Sequence, residues 1–189
     1  GCGSFTRNYL NEKFTSVTLT EKDEENFLKL SEKYKKNEKV KVINELIYDI
    51  NQQYDSILYL HVLEHIKDDK KEIDEAIRKL KKNGYLIIMV PAHQKIYGNL
   101  DKEVGHYRRY ESDFFRQEIK YLKLVNFKYL DSAGYLLYKL NSFVFSKEKS
   151  PTKLKIFIWD KFFTPISILF DFISMYKFGK CILAIYKKH

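Results

Sequence analysis

The sequence predicts an α/β fold of the doubly wound type, in which a mostly parallel β-sheet carries helices on both faces. Short segments of strand character alternate with longer segments whose apolar residues recur at helical spacing. One strand segment, YLIIMV at 85–90, is continuously apolar, as expected for a strand buried on both faces. This alternation favours parallel strands joined by right-handed helical crossovers.

The first predicted elements follow the opening glycines. TRNYLNEKF indicates a short helix, and SVTLTE at 16–21 alternates apolar and polar residues before it ends on an acid. The segment at 22–34 has helical spacing, and VKVIN at 40–44 is the next predicted strand. The order strand, helix, strand is therefore established within the first 44 residues.

The middle of the chain continues the pattern. DSILYL at 55–60 is a predicted strand, and a helix is predicted over 69–84. Asp69 and Glu72 have capping-box spacing at its start, and Asn83-Gly84 supplies a stop before the strand at 85–90. A further helix is predicted to start near Ser112.

Length and composition indicate a single globular domain over residues 1–189. The formal charge of +9 fits nucleic acid, an anionic membrane surface or an anionic small substrate. Lysines are scattered while Arg108, Arg109 and Arg116 cluster, so we expect no nucleic-acid partner. Cys2 and Cys181 lack metal-ligand spacing, which favours a reducing, cytoplasmic location. No apolar run reaches the ~18 residues of a membrane span, so the sequence predicts a soluble protein.

The opening GCGSFT is typical of a glycine loop that presents backbone amides to a ligand. In a doubly wound sheet this loop follows the first strand, so we expect the domain to begin upstream of Gly1. Glu21 closes the strand at 16–21, about 20 residues after Gly3, which is the spacing at which an acid reaches the ribose hydroxyls of a bound nucleoside. These residues predict a nucleoside-containing ligand.

Four stretches carry a resemblance to a known family: GCGSFT, SVTLTEKDEE, DSILYLHVLEHIKDD and VPAHQKIYGNLDKEVGHYRRY. The chain resembles the class I S-adenosylmethionine-dependent methyltransferases, in particular the small bacterial and archaeal group associated with surface-polysaccharide genes. The likeness extends to the closing FGKCILAIYKK. It implies a Rossmann-like methyltransferase fold, with a helical insertion at about 140–176 and an antiparallel last strand in CILAIY.

The resemblance also implies the cofactor, S-adenosylmethionine, and the residues that hold it. Gly1 and Gly3 would lie against its methionine moiety, and Glu21 would bind its ribose. Asn44 and Glu45 occupy the region that usually contacts the adenine. The sulfonium side is assigned to two residues that follow the strand at 55–60, namely His61 and Leu63.

The expected reaction is methyl transfer to a hydroxyl, which needs alignment of the acceptor and removal of its proton. Histidines after the strands at 55–60 and 85–90 lie where the acceptor binds in such a sheet. His93 and His106 are the candidate general bases, and Asp101 is the candidate to orient either one.

Three neighbouring residues suggest the acceptor. Tyr107 can stack on a sugar ring, and the paired guanidinium groups of Arg108 and Arg109 suit phosphate or carboxylate. The predicted partner is therefore a small-molecule acceptor such as a sugar, a sugar phosphate, a nucleotide sugar or a lipid-linked sugar.

Two alternatives come from other features. HVLEH at 61–65 spells H-x-x-E-H, the signature of a zinc hydrolase, but that chemistry requires a helix and this motif directly follows a strand, so no metal site is assigned. A related alternative has Glu64, His65 and His93 binding a divalent ion within a methyltransferase. The non-enzymatic alternative is a basic module that binds RNA or anionic lipid, with affinity that falls steeply with salt.

The apolar, aromatic segment at 155–175 is flanked by lysines. Pro165 is expected to begin or kink a helix there. We expect this helix to cover the mouth of the active site or to form a dimer contact. The alternative is a peripheral membrane contact that positions a lipid-linked acceptor.

Overall fold

The strands of the described residues form two sheets, one in each of the two units into which the chain divides, residues 1–52 and 53–189. The computed structural model describes residues 14–117, 119–144 and 164–189. The predicted helix at 6–14 and the glycines at positions 1 and 3 fall outside the described residues or at their edge. The predicted α/β class is confirmed.

The N-terminal unit contains strand β1 (Val17–Thr20), helix α1 (Glu24–Tyr34) and strand β2 (Val40–Ile43). The two strands are parallel, with Val17 opposite Val40 at one end and Thr20 opposite Ile43 at the other. Their carboxyl ends therefore lie side by side, and the residues that follow each strand meet at one edge of this sheet.

The C-terminal unit contains strands β3 (Tyr54–Leu60), β4 (Leu80–Pro91), β5 (Leu122–Leu130) and β6 (Cys181–Lys188), in the order β3-β4-β6-β5. β3 and β4 are parallel, whereas β6 is antiparallel to both of its neighbours, as predicted. The inner positions of the sheet are fully buried: Leu86, Ile88, Val90, Ile182 and Ala184.

The described residues of this unit include the helices α2 (Asp69–Lys79), α3 (Asn99–Glu103), α4 (Ser112–Arg116), α5 (Ser132–Val144) and α6 (Thr164–Ile173). Pro165 lies in the first turn of α6, where its missing amide hydrogen costs no helical bond. Two short 3₁₀ turns cover Leu63–His65 and Gln94–Ile96. No helix within the described ranges has the length and hydropathy that a membrane crossing requires.

Helix α2 differs from its prediction at both ends. Its N-cap is Asp68, whose carboxylate accepts the Lys71 amide, whereas the capping box was expected at Asp69. It ends at Lys79, before the predicted stop at Asn83-Gly84, because Leu80 is fully buried and already pairs with Tyr54 in the sheet.

A side chain from the end of the sequence stabilises this early end of α2. The Lys188 ammonium donates to the carbonyl oxygens of Ile77 (2.6 Å) and Leu80 (2.7 Å). A cation at this position also complements the negative end of the helix dipole. The contact joins residues more than 100 positions apart, so a local sequence pattern does not reveal it.

Candidate active site

The segment that follows β3 leaves the sheet through a strained residue and a tight turn. The His61 amide still donates to the Met89 carbonyl (2.8 Å), but the φ angle of His61 is 55°, in the left-handed region. The 3₁₀ turn then starts at Leu63 and places the Glu64 side chain fully inside the protein, with His61 and His65 exposed on either side. The motif HVLEH therefore forms a short turn, as expected, and not the α-helix that zinc hydrolases use.

A second segment supplies His106 and Asp101. Asp101, at 2% exposure, lies in α3, and its carboxylate accepts from the Gly98 amide (2.9 Å) and from Arg109 Nε (2.9 Å). His106 Nδ1 lies 2.8 Å from Asp101 Oδ1. Asp101 was expected to orient either His93 or His106, and the structure places it against His106. Arg109 donates to the same oxygen, Oδ1, as His106 contacts, and the Gly98 amide donates to Oδ2.

One backbone bond joins the two segments. The Tyr107 amide donates to the Glu64 carbonyl (2.8 Å), which brings the loop after α3 onto the 3₁₀ turn. As a result His106 Nε2 lies 3.9 Å from Glu64 Oε1, and the rings of His65 and His106 meet edge to face with centroids 4.7 Å apart. We call Glu64, His65, His106 and Asp101 the histidine–carboxylate cluster.

Two charged groups at this cluster have displaced pKa values. Side-chain hydrogen bonds of His61 with Cys181 and with Glu64 outweigh desolvation and raise the pKa of His61 to about 10. Burial alone would raise the pKa of Asp101, but the hydrogen bonds from Gly98, Arg109 and His106 outweigh it and hold that pKa below its ordinary value. Asp101 is therefore a carboxylate at neutral pH, and His61 is a cation.

The predicted acceptor-binding residues occupy different environments. Tyr107 is exposed, and the guanidinium of Arg108 lies 6.0 Å from the centre of its ring. Arg108 also pairs with Asp69 and donates to the Lys67 carbonyl (2.6 Å). Arg109 is buried apart from a small fraction of its side chain and is engaged by Asp101. Tyr107 and Arg108 thus face outward, and Arg109 lies behind the cluster.

Tyr110 anchors this segment in the interior. Its hydroxyl donates to Asp69 (2.9 Å) and contacts the Leu63 carbonyl (3.2 Å), and Leu63 itself is fully buried. Burial and the neighbouring Asp69 carboxylate raise the pKa of Tyr110 above its ordinary value. The tyrosine therefore remains a neutral hydrogen-bond donor that fixes the 3₁₀ turn against α2.

His93, the other candidate base, is held elsewhere in the unit. Its Nε2 lies 2.9 Å from the Gly179 carbonyl, and its ring stacks on Tyr129 and contacts Tyr135. Its φ angle is 66°, at the start of the 3₁₀ turn that follows β4. These contacts tie His93 to β5, α5 and the loop before β6, and the structure brings His106, not His93, to Glu64 and His65.

The remaining predicted cofactor residues belong to the N-terminal unit or lie outside the described residues. The Glu21 amide donates to the Ile43 carbonyl (3.1 Å), which continues the parallel pairing past the ends of β1 and β2. Glu21, Asn44 and Glu45 are therefore neighbours at the carboxyl edge of this sheet. Gly1 and Gly3 are among the residues that are not described.

Sequence reasoning missed two contributors to the site. The sequence predicts Asp69 as a helix cap, but its carboxylate binds Arg108 and Tyr110. Cys181 forms a side-chain hydrogen bond with His61. Cys181 pairs with Pro91 across the antiparallel strands β4 and β6, so only the tertiary register reveals it. The sequence did contain a signal for Asp69. Asp68, immediately before it, can cap the helix equally well, so Asp69 is not needed as the cap.

A family model described as a methyltransferase domain matches residues 1–132. The chain belongs to this methyltransferase family. A search of curated proteins gives no significant match. S-adenosylmethionine is thus the cofactor, as the resemblance to this family implied, and methyl transfer is the activity at the level of the family.

Solved methyltransferases share the fold. The N-methyltransferase NodS from Bradyrhizobium japonicum, in complex with S-adenosylhomocysteine, is 13% identical with a TM-score of 0.59, over 100% of this chain and 74% of NodS. Coclaurine N-methyltransferase, bound to N-methylheliamine and S-adenosylhomocysteine, is 17% identical with a TM-score of 0.63, over 100% and 65% of the two chains. An S-adenosylmethionine-dependent methyltransferase from Clostridium acetobutylicum is 14% identical with a TM-score of 0.60, over 100% of this chain and 80% of that protein.

Proposed function

We propose that this methyltransferase transfers the methyl group of S-adenosylmethionine to a hydroxyl of a small molecule, namely a sugar, a sugar phosphate or a nucleotide sugar. The observation that carries the proposal is the 2.8 Å contact between His106 Nδ1 and the buried Asp101 carboxylate. An alcohol acceptor needs a base, and an imidazole that is oriented by a carboxylate meets that need.

The cofactor-binding part of the proposal follows the predicted positions. Glu21, half-buried at the end of β1, offers a carboxylate that can accept from both ribose hydroxyls, which fits the nucleoside part of the cofactor. We assign the adenine to the region of Asn44 and Glu45, the sulfonium side to His61 and Leu63, and the methionine moiety to the glycines at positions 1 and 3. When bound, S-adenosylmethionine supplies an electrophilic methyl group on sulfur.

The chemistry of the chain itself is proton removal and positioning. Asp101 accepts the Nδ1 proton of His106, so the lone pair is on Nε2, and this atom takes the acceptor proton as the oxygen attacks the methyl carbon. Arg109 and the Gly98 amide keep the aspartate ionised. His93, although initially an equal candidate, is the weaker one because its Nε2 is already engaged with the Gly179 carbonyl.

The acceptor part of the proposal rests on Tyr107 and Arg108. The exposed Tyr107 ring can pack on a sugar face, and Arg108 retains N–H groups beyond those that contact Asp69 and Lys67. These groups suit the phosphate of a phosphorylated or lipid-linked sugar. We extend the proposal to cytoplasmic surface-polysaccharide synthesis, with peripheral membrane contact through the segment at 155–175.

Amines are the second acceptor class to be assayed, because NodS and coclaurine N-methyltransferase are named for nitrogen acceptors. A neutral amine attacks without a base, whereas a hydroxyl depends on one. The His106–Asp101 pair therefore favours oxygen. The dependence of the rate on His106 separates the two classes.

The first test is calorimetric titration of S-adenosylhomocysteine into the full-length protein and its Glu21→Ala variant. We expect binding that weakens at least about tenfold in the variant, as the loss of a hydrogen-bonded charge predicts. Absence of binding by the folded wild-type protein would overturn the cofactor assignment. Zinc-dependent peptide hydrolysis without such binding would instead support the hydrolase alternative.

The second part of the test measures methyl transfer to sugar phosphates, nucleotide sugars and amines. We expect turnover with a sugar hydroxyl, and a fall in kcat of about 10²- to 10⁴-fold in His106→Ala, the usual contribution of a general base. His189→Ala is the matched control, because His189 is an exposed histidine that does not belong to the histidine–carboxylate cluster. Turnover of amines alone, unaffected by His106→Ala, would contradict a hydroxyl acceptor.

A further inference from the structure

We propose that Glu64, His65 and His106 form a binding site for a single divalent transition-metal cation. One potential ligand atom from each residue lies within 4.8 Å of the others. Binding of the ion does not depend on the proposed sugar acceptor, but a role for it in catalysis rests on the proposed function. The site differs from the sequence-based alternative, because His106 takes the position that had been given to His93.

Glu64 provides the main argument. Its side chain is completely buried, and its Oε2 atom has no hydrogen-bond partner among the described residues. Its other oxygen, Oε1, lies 3.3 Å from His61 Nδ1. A buried carboxylate oxygen without a partner is costly, and a cation beside it removes that cost. Because His61 occupies Oε1, Oε2 remains available to an ion.

The ligand atoms lie close to the separations that one ion requires, within 4.8 Å of one another. Bonds of about 2.1 Å from a metal to nitrogen and oxygen place two ligand atoms at most about 4.2 Å apart. Oε1 of Glu64 lies 3.9 Å from His106 Nε2, which is too long for a hydrogen bond. The carboxylate that carries the unpartnered Oε2 is therefore close enough to the His106 imidazole for both to bind one ion. His65 is exposed, so rotation of its side chain can close the remaining gap.

Asp101 provides an independent argument. Metal-binding histidines usually donate their second ring N–H to a carboxylate or carbonyl, which fixes the tautomer and the ring orientation. His106 has this arrangement, with Nδ1 on Asp101 and Nε2 directed toward Glu64. Arg109 and Gly98 in turn fix the aspartate.

The set of donor atoms indicates the ion. Two imidazole nitrogens and one carboxylate favour Zn²⁺, with Co²⁺ as its usual substitute, over Mg²⁺, which prefers oxygen. Three protein ligands leave at least one position open. When an ion is bound, His106 Nε2 serves as a ligand, so the general-base role proposed above belongs to the metal-free protein.

The test is titration of the chelator-treated, full-length protein with Co²⁺ and Zn²⁺. Calorimetry gives the stoichiometry, and visible absorption of bound Co²⁺ reports its ligands. We expect one ion per chain, with affinity about 10- to 100-fold weaker in Asp101→Asn, as for other residues that support a metal ligand. Glu64→Gln and His65→Ala should abolish the Co²⁺ absorption, and His189→Ala should leave it unchanged.

Two results would overturn the metal site: no binding of either ion at 100-fold molar excess, or Co²⁺ absorption that persists unchanged in both Glu64→Gln and His65→Ala. Folding of each variant is checked by its circular dichroism spectrum and by titration with S-adenosylhomocysteine. Binding of S-adenosylhomocysteine without metal binding would remove this inference and leave the proposed function intact. Metal binding without S-adenosylhomocysteine binding would overturn the proposed function and leave the metal site intact.

Discussion

Asp101 shows how a single buried carboxylate organises the site. Three donors converge on it from the Gly98 amide, His106 and Arg109, and only 2% of the residue is exposed. Such a group stabilises the folded protein only while it is ionised, because a protonated carboxyl cannot accept the same bonds. Its contribution to stability must therefore depend on pH.

The pKa of Asp101 is lowered from 3.8 in the folded protein, so its contribution is complete above that value and is lost as the pH falls through the folded-state pKa. We expect Asp101→Asn to reduce the free energy of unfolding by about 2 kcal/mol at pH 7. The difference from wild type should shrink below about pH 4. Urea unfolding at pH 7, 5, 4 and 3.5 measures it, and a difference that stays constant with pH would contradict this account.

The sequence identified candidate residues for the histidine–carboxylate cluster, but it did not show how Glu64 comes to lie against His106. Asp101 was predicted to orient either His93 or His106, and the structure pairs it with His106. The position of Glu64 against His106 depends on the backbone bond from Tyr107 to Glu64, across more than 40 residues. Spacing within HVLEH identifies candidate ligands but not the third group that completes the cluster.

At the scale of elements, a carboxylate from α6 holds the start of α5. Asp171, at 5% exposure, accepts from the amides of Asp131 (2.9 Å) and Ser132 (2.7 Å). The φ angle of Asp131 is 62°, and its own carboxylate accepts the Gly134 amide, which completes the N-cap. Two helices far apart in sequence are thereby fixed to each other.

We expect Asp171→Ala to lower the free energy of unfolding by about 2 to 4 kcal/mol, because two backbone amides lose their charged acceptor. Asp74→Ala is the control, since Asp74 is exposed on α2, and it should change stability by less than about 0.5 kcal/mol. Denaturant unfolding followed by circular dichroism measures both. Equal effects of the two substitutions would show that the contact with α5 adds no stability.

The elements themselves were predicted well where hydrophobic periodicity is strong. The strands β1 to β4 and β6 were identified to within a few residues, and only the start of β4 was misplaced, at 85 instead of Leu80. β5 was not predicted, because LKLVNFKYL mixes lysines with apolar residues and has no clean alternation. The carboxyl end of α2 could not be predicted from the local sequence, because the contact with Lys188 and the pairing of Leu80 in the sheet determine where that helix ends.

At the scale of the whole molecule, a formal charge of +9 coexists with an unusually apolar surface on α6. Phe172 and Ile173 are 70% and 66% exposed, and Lys128 lies over the Tyr176 ring just beyond the helix. An apolar helix face with basic neighbours is suited to anionic lipid headgroups. This supports the proposed peripheral membrane contact.

We expect the double variant Phe172→Glu, Ile173→Glu to bind vesicles that contain phosphatidylglycerol at least about tenfold more weakly than wild type, because two large apolar side chains no longer insert. Leu28→Glu, at a comparably exposed site on α1, should bind as wild type does. Vesicle co-sedimentation measures all three proteins. Unchanged vesicle binding by the double variant would contradict membrane contact. A change in its sedimentation coefficient would favour a dimer contact, and a change in its turnover would favour a helix that covers the active site.

The strand order β3-β4-β6-β5 has a consequence for how the protein is made. β6 comes from residues 181–188 yet lies between two strands that are synthesised long before it. On the ribosome, β4 and β5 therefore emerge without their shared neighbour, and β5 has no place in the sheet until Cys181–Lys188 leaves the exit tunnel. Until then β4 has an unpaired, apolar edge. We therefore expect chaperones that bind unpaired strands to bind the nascent chain.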